Sequence, residues 1–157
     1  MRRAAILAAM LASAPAAADD GAAAWKRCAA CHLANGQGVP GSFPRLAGRL
    51  HGAAASEAGR AYLILTVTAG VMGPVDIDGK TIRGIMPAQA GLSDADVAAV
   101  LNYAAALPGA DGSAPKPIKP FTAAEVAAVK AAHPGVNPNA VHAARAGVVF
   151  EESGPTP

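Results

Sequence analysis

Apolar positions recur at helical spacing in several parts of the chain, and these parts alternate with segments rich in glycine and proline. The clearest pattern covers residues 93–109, where five apolar side chains fall on one helical face: Val97, Val100, Leu101, Ala104 and Leu107. Ser93 is followed three residues later by Asp96, a capping-box pattern, and Pro108 and Gly109 end the apolar stripe. The pattern therefore predicts an amphipathic helix that begins after Ser93.

Two further helices are predicted before this one. Residues 21–32 are rich in alanine, which has the highest helix propensity, and Asp19 or Asp20 is placed to cap them. Ser56 precedes the second helix, residues 57–70, in which four side chains share one face: Tyr62, Leu65, Thr66 and Ala69. The glycine at the end of this segment is a helix stop signal.

The other segments predict a loop, a hairpin and a helical tail. Residues 33–52 carry glycine and proline at close intervals and predict a long ordered loop. Residues 75–83 alternate around an Asp-Gly pair, which predicts a small β-hairpin. A proline-rich linker at residues 111–120 precedes two short predicted helices, one that begins after Thr122 and one within residues 137–147.

The first twenty residues have the order of a secretory signal. Two arginines are followed by an apolar run from Ala4 to Ala12 and then by small residues. We expect cleavage after Ala18, which assigns residues 1–18 to a signal peptide; the alternative is an uncleaved membrane anchor. The apolar run is about half of the roughly 20 residues that a spanning helix needs, so no stable membrane span is expected after cleavage.

Removal of the signal changes the net charge of the chain. The full sequence has 13 Lys and Arg side chains against 11 Asp and Glu side chains. Two of the basic residues, Arg2 and Arg3, lie in the predicted signal, so the mature chain is nearly neutral. Nucleic-acid binding is not expected, because neutralising phosphates requires a cationic patch.

The two cysteines of the chain, Cys28 and Cys31, lie close together, and His32 follows directly. A disulfide across two intervening residues closes a very small loop and restricts the unfolded chain little. A closed zinc site needs four ligands, and the remaining histidines are scattered along the sequence: His51, His133 and His142. A redox dithiol would lie in an alternating strand and helix pattern, which the sequence lacks.

The spacing Cys28-x-x-Cys31-His32 is the one that covalent attachment of c-type haem requires. Two cysteines one helical turn apart reach the two vinyl groups on one haem edge, and the adjacent imidazole reaches the iron as proximal ligand. Aromatic residues make up only 4% of the sequence. A core of this size is therefore short of large side chains, and a buried apolar cofactor would fill the space. The expected cofactor is one covalent haem c.

With this motif the chain resembles the class I bacterial cytochromes c of the periplasm. In that family a proline and a leucine follow the haem-binding histidine at set distances, and Pro44 and Leu46 in "FPRLAG" match them. The resemblance implies that the Pro44 carbonyl accepts a hydrogen bond from His32. It also implies that Met86, which precedes a proline in "RGIMPAQAG", is the second axial ligand of the iron. Met72 is the other methionine of the mature chain, and a packing or turn role is expected for it.

The resemblance implies further contacts around the haem. Trp25 and Tyr103 would form an aromatic pair where the first and last core helices cross. Trp25 is one residue nearer to the first cysteine than is usual, so Ala24 or Gly21 is expected at the close contact between these helices. Four arginines are candidates to pair with the haem propionates: Arg45, Arg49, Arg60 and Arg83.

The implied fold is all-α, with three or four core helices around one covalent haem. Residues 19–110 would form the cytochrome c domain, and residues 111–157 a linker and helical C-terminal extension. The implied function is one-electron transfer in the periplasm, from a dehydrogenase to a terminal oxidase or another cytochrome. The alternatives are a peroxidase-like haem enzyme, in which Met86 is a labile ligand, and a non-redox haem sensor or structural subunit. The sequence shows no catalytic dyad, so an electron carrier rather than an enzyme is expected.

Overall fold

Helices dominate the computed structural model, which describes residues 18–150. The predicted signal peptide, apart from Ala18, lies outside the described residues. In chain order the elements are α1 (Ala18–His32), α2 (Leu50–Ala54), α3 (Glu57–Ala69), β1 (Val71–Ile77), β2 (Lys80–Met86), α4 (Asp94–Ala105), α5 (Ala123–Ala132), α6 (Pro138–Ala144) and a 3-10 turn (Arg145–Gly147). Among the described residues, no helix is both long enough and apolar enough to span a bilayer.

The N-terminal ends of three helices confirm the sequence prediction. The side chains of Ser56, Ser93 and Thr122 each accept a backbone N–H from the first turn of α3, α4 and α5. Ser93 and Asp96 form the complete capping box. The expected aspartate cap of the first helix is wrong, because both aspartates lie inside α1, within the described range Ala18–His32.

The segment predicted as one long loop, residues 33–52, is interrupted at its end by the short helix α2. Its Leu50, Ala53 and Ala54 are at most 5% exposed, so burial against the core, rather than a cap or a propensity signal, accounts for this helix. An isolated helix of five residues would not be stable in water. The prediction failed here because the stabilising contacts are tertiary.

The helices α1 and α4 cross at the point predicted from the aromatic pair. The Trp25 and Tyr103 rings lie 5.7 Å apart between centroids, and the Trp25 indole donates to the Ala34 carbonyl at 3.0 Å. A Cβ atom on Gly21 would lie 2.7 Å from the Ala99 carbonyl oxygen. Of the two residues expected at the close contact, Gly21 is the one whose missing side chain lets the helices approach.

The hairpin is longer than the predicted span of 75–83. The two strands pair antiparallel from Val71 opposite Met86 to Ile77 opposite Lys80. Asp78 and Gly79 form the turn, with φ angles of 50° and 70° that match a tight hairpin turn. The sheet therefore starts directly after α3, and Met72 lies within β1.

The C-terminal extension packs on the core in its described part. Helix α5 contacts α3 and α4, and α6 contacts α3 and β1. Phe121, Val126 and Val141 are each at most 3% exposed. The linker before α5 is held by Asn102 of α4, whose side chain bonds the Phe121 carbonyl at 3.0 Å and the Phe121 N–H at 2.8 Å. The extension is thus part of the folded body.

Candidate functional site

A cavity of about 390 Å³ lies between α1, α3 and the hairpin. The wall brings together Cys28, Cys31 and His32 from the end of α1 and Met86 from the end of β2. The rest of the lining is mainly apolar and includes Phe43, Pro44, Leu46, Leu50, Tyr62, Leu63, Val71, Val75, Ile77, Ile82 and Ile85. This volume falls in the range of about 300–1,000 Å³ that is typical of ligand and cofactor pockets.

His32 is the last residue of α1 and is oriented by a hydrogen bond across the following loop. Its Nδ1 lies 2.8 Å from the Pro44 carbonyl oxygen, and the residue is only 6% exposed. Since a carbonyl oxygen only accepts, Nδ1 carries the proton and Nε2 is left with its lone pair. Burial lowers the pKa of His32, although the Pro44 carbonyl opposes this shift. The result is a neutral imidazole whose Nε2 can bind a metal ion.

Cys28 and Cys31 lie in the last turns of α1 and form no disulfide. Cys28 is half-buried and Cys31 is exposed, and both line the cavity on the same side as His32. Burial raises the pKa of the Cys28 thiol, and its backbone hydrogen bond and the neighbouring Arg27 charge oppose the shift. Helical geometry therefore presents the two sulfur atoms to one edge of the cavity.

Met86 is held at the cavity by a close approach between the end of α3 and the hairpin. Gly70 ends α3 with a φ angle of 81°, and a Cβ atom there would lie 2.6 Å from the Met86 carbonyl oxygen. Met72 pairs with Ile85 in the sheet, is 36% exposed and does not line the cavity. His51 of α2 is not part of the cavity wall either.

The loop after Met86 is tied to two helices. The Gln89 backbone N–H donates to the Val67 carbonyl of α3 at 2.9 Å. The Arg27 guanidinium of α1 donates to the Ala90 carbonyl at 2.8 Å. These contacts fix the far end of the loop, so Met86 is held from both sides.

Arg45 lines the cavity, but its guanidinium is bonded to protein groups. Its Nε and Nη2 donate to the two Asp78 carboxylate oxygens at 2.8 Å each, and its Nη1 donates to the Ala47 carbonyl at 2.6 Å. Arg49 reaches the same carboxylate at 3.5 Å. The hydrogen bond from Arg45 lowers the pKa of Asp78. The turn of the hairpin is thereby anchored against the cavity wall.

The other two candidate arginines lie away from the cavity. Arg60 pairs with Glu125 of α5 through two hydrogen bonds of 2.5 and 2.6 Å, and its guanidinium stacks on the Phe121 ring at 3.9 Å. Arg83 is exposed on β2. Neither is a residue of the cavity wall.

Several side chains of the wall are not among the site residues predicted from the sequence, and three of them bear on the cofactor. The Thr66 hydroxyl is buried at the cavity without a hydrogen-bond partner in the protein. Arg145 and Phe150 reach the wall from the C-terminal extension. An unpartnered buried hydroxyl in an apolar cavity, with two thiols and a neutral imidazole along one edge, fits a haem group. No local pattern predicts these contacts, because each depends on how distant segments pack.

Comparison with known proteins identifies what this chain is similar to. A family model described as Cytochrome c matches residues 18–108. A cytochrome c-552 of Thermus thermophilus is 46% identical over 112 residues, which are 71% of this chain and 85% of the relative. A second cytochrome c-552 of the same species is also 46% identical over 112 residues, which are 71% of this chain and 75% of that relative.

Proposed function

This chain belongs to the cytochrome c family, and from that membership we propose which residues hold its haem and where its electrons travel. As a class I c-type cytochrome it carries covalent haem c and transfers electrons, and it is not an enzyme. When bound, the haem supplies a reversible one-electron change. The residues of the chain attach it, set its surroundings and limit the access of water.

We propose that Cys28 and Cys31 form the two thioether bonds and that His32 is the proximal iron ligand. The observation that carries this assignment is the hydrogen bond from His32 Nδ1 to the Pro44 carbonyl. It orients the ring and leaves Nε2 as the ligand atom, in a cavity that both cysteines line. Pro44 therefore acts through its backbone oxygen, and Leu46 contributes to the apolar wall beside it.

Met86 is the proposed second axial ligand. Its place in the cavity wall and the contacts that hold its loop to α3 and α1 support this role. A thioether opposite an imidazole raises the reduction potential relative to two imidazoles. Arg45 adds to the cofactor site a buried cation whose charge is compensated by Asp78.

The proposed route of the electrons starts at a periplasmic dehydrogenase and ends at a terminal oxidase or another cytochrome. The signal-like order of the first twenty residues, two arginines followed by an apolar run and small residues, supports a periplasmic location. Cell fractionation tests the location, and copurification from the native membrane fraction tests the partners. Recovery of the holoprotein in the cytoplasm would contradict export.

The ligand assignment is tested by replacing each methionine of the mature chain in turn. In a host that attaches haem c, the oxidised wild type should show the weak far-red absorption band of methionine bound to ferric haem, and azide should leave the spectrum unchanged. Met86→Ala should lose the band and bind azide, because the iron loses its sixth ligand.

Met72→Ala is the matched control, since it removes the same side chain from the same hairpin outside the cavity. It should keep the band and resist azide. Loss of the band in Met72→Ala with retention in Met86→Ala would contradict the assignment.

A further inference from the structure

The C-terminal extension reaches the cavity through Arg145 and Phe150, and both lie outside the 18–108 segment that the family model matches. The placement of α6 brings them there. Val141 is 1% exposed, and His142 Nε2 lies 2.7 Å from the Pro74 carbonyl oxygen of β1. The extension is thus fastened to the hairpin shortly before the chain arrives at the cavity.

The Phe150 ring contacts one aromatic and two charged side chains at this wall. Its ring packs edge-on against Tyr62 with the centroids 5.9 Å apart. The Arg145 guanidinium lies 4.4 Å from the centre of the ring, and the Arg49 guanidinium lies 5.7 Å from it. Arg49 also reaches Asp78, which binds Arg45. The three guanidinium groups therefore form one cluster on the cavity wall.

The wall is positively charged where this cluster lies. Among the described residues, no Asp or Glu side chain lines the cavity. Arg145 is half-buried, and within residues 18–150 it forms no ion pair with a carboxylate. Its guanidinium carbon lies 4.4 Å from the centre of the Phe150 ring, within the distance of a cation–π contact.

The two ends of the cavity differ in chemistry. Arg27, the neighbour of Cys28, is bonded to the Ala90 carbonyl just beyond the base of the hairpin. Arg45 and Arg49 are bonded to Asp78 at the turn, which is the opposite end of the same strand ladder. The thioether edge of a haem carries its former vinyl groups, and its two carboxylates lie on the opposite edge. A guanidinium is the side chain best suited to bind a carboxylate through two parallel hydrogen bonds.

We propose that Arg145 is a cofactor-binding residue whose guanidinium pairs with a haem propionate, so that the C-terminal extension forms the last wall of the haem pocket. This inference rests on the proposed function in that haem c occupies the cavity. It assigns a role to a residue outside the minimal cytochrome domain and extends the haem site to the described end of the chain.

The first test is the midpoint potential of holoprotein Arg145→Gln. Loss of a cation beside the haem favours the oxidised form, which carries more positive charge, so the potential should fall below that of the wild type. Arg145→Lys should retain a larger part of the wild-type value, because it keeps the charge without the bidentate geometry. Arg83→Gln is the matched control, since it removes the same charge from an exposed position outside the cavity.

The salt dependence of the potential shift distinguishes a direct ion pair with the haem from the electric field of a distant surface charge. At about 1 M salt, where the screening length is about 3 Å, a half-buried contact pair persists and the effect of a remote surface charge is lost. The lower potential of Arg145→Gln should therefore remain at high salt. A shift that disappears at high salt, or one equal to that of Arg83→Gln, overturns the proposal.

A second measurement uses only the wild type, so it still tests the proposal if Arg145→Gln fails to fold. In the ferrous wild type, nuclear magnetic resonance should show cross-relaxation between Arg145 side-chain protons and the propionate methylene protons of the haem. Its absence overturns the proposal. Failure of the proposed function is distinguishable, because the wild type itself would then lack covalent haem or the far-red methionine band.

Discussion

At the scale of single residues, the position of Met86 depends on a glycine. Gly70 has a φ angle of 81°, and a Cβ atom there would lie 2.6 Å from the Met86 carbonyl oxygen and 2.8 Å from the Ala88 nitrogen. Both contacts are with backbone atoms, which cannot move aside without shifting the loop. The residue therefore couples the end of α3 directly to the proposed ligand.

We expect Gly70→Ala to displace the Met86 loop. The far-red band should weaken or disappear, azide binding should become measurable, and the free energy of unfolding should fall by about 1–3 kcal/mol as the backbone shifts. The measurements are the absorption spectrum of the oxidised protein and its unfolding by denaturant.

Gly91→Ala provides the control for this change. Gly91 lies in the same loop with a φ angle of 82°, but a Cβ atom there has open space around it. Gly91→Ala adds the strain of a side chain at a positive φ angle, about 1–2 kcal/mol, without a collision with neighbouring atoms. An equal loss of the far-red band in both variants would show that strain, and not the contact with Met86, controls the ligand.

At the scale of elements, the extension is joined to the core by the ion pair between Arg60 of α3 and Glu125 of α5. Arg60 is 7% exposed and also donates to the carbonyls of Lys119 and Pro120. Its guanidinium stacks on Phe121. Removal of the carboxylate leaves a buried cation without its charged partner.

Glu125→Gln should lower the free energy of unfolding by about 1.5–3 kcal/mol, the range for hydrogen bonds to charged groups. Asp94→Asn is the matched control, because it breaks the Lys130–Asp94 pair of 2.6 Å between α4 and α5 at a more exposed position. Exposed pairs contribute about 0–1 kcal/mol. Equal losses in the two variants would contradict a special role for the buried pair.

The same ion pair gives part of the acid sensitivity of the fold. The hydrogen bond from Arg60 lowers the pKa of Glu125, so the unfolded chain binds this proton more tightly than the folded one. The stabilisation is complete above the ordinary pKa of a glutamate and is lost as the pH falls through the lowered value. The stability of Glu125→Gln, measured by denaturant unfolding from neutral to acid pH, should therefore decline less than that of the wild type.

Comparison of these elements shows what sequence patterns can and cannot predict. The Cys-x-x-Cys-His motif and the Ser93 capping box are predictable because all of their residues lie within one helix or turn. Asp78 is predictable as a turn residue, yet its bonds to Arg45 join residues 33 positions apart. Arg60 and Glu125 are 65 positions apart, and the sequence places Arg60 among the candidates for the haem instead. The spacing of residues in the sequence cannot show which arginine pairs with the haem and which with a carboxylate of the protein. Several arginines have similar sequence neighbours, and tertiary packing determines the partner of each.

At the scale of the whole molecule, the sequence after the predicted signal peptide carries almost no net charge, because Arg2 and Arg3 account for the excess of 13 Lys and Arg over 11 Asp and Glu side chains. Long-range steering of a partner requires an asymmetric field, so association with redox partners should depend only modestly on ionic strength. We expect the second-order rate constant of electron transfer to change by less than about tenfold between low and physiological salt. Stopped-flow measurements with a candidate acceptor test this, and a change of several powers of ten would reveal a strongly charged contact face.

The wall formed by Arg145 and Phe150 has a consequence for the biogenesis of the protein. Cys28 and Cys31 are synthesised well before Phe150, so on a growing chain the proposed attachment cysteines exist before the residues that complete this wall. If haem is attached in that order, docking of α6 on the hairpin would close the pocket afterwards. Maturation in this order would require no reopening of the folded protein.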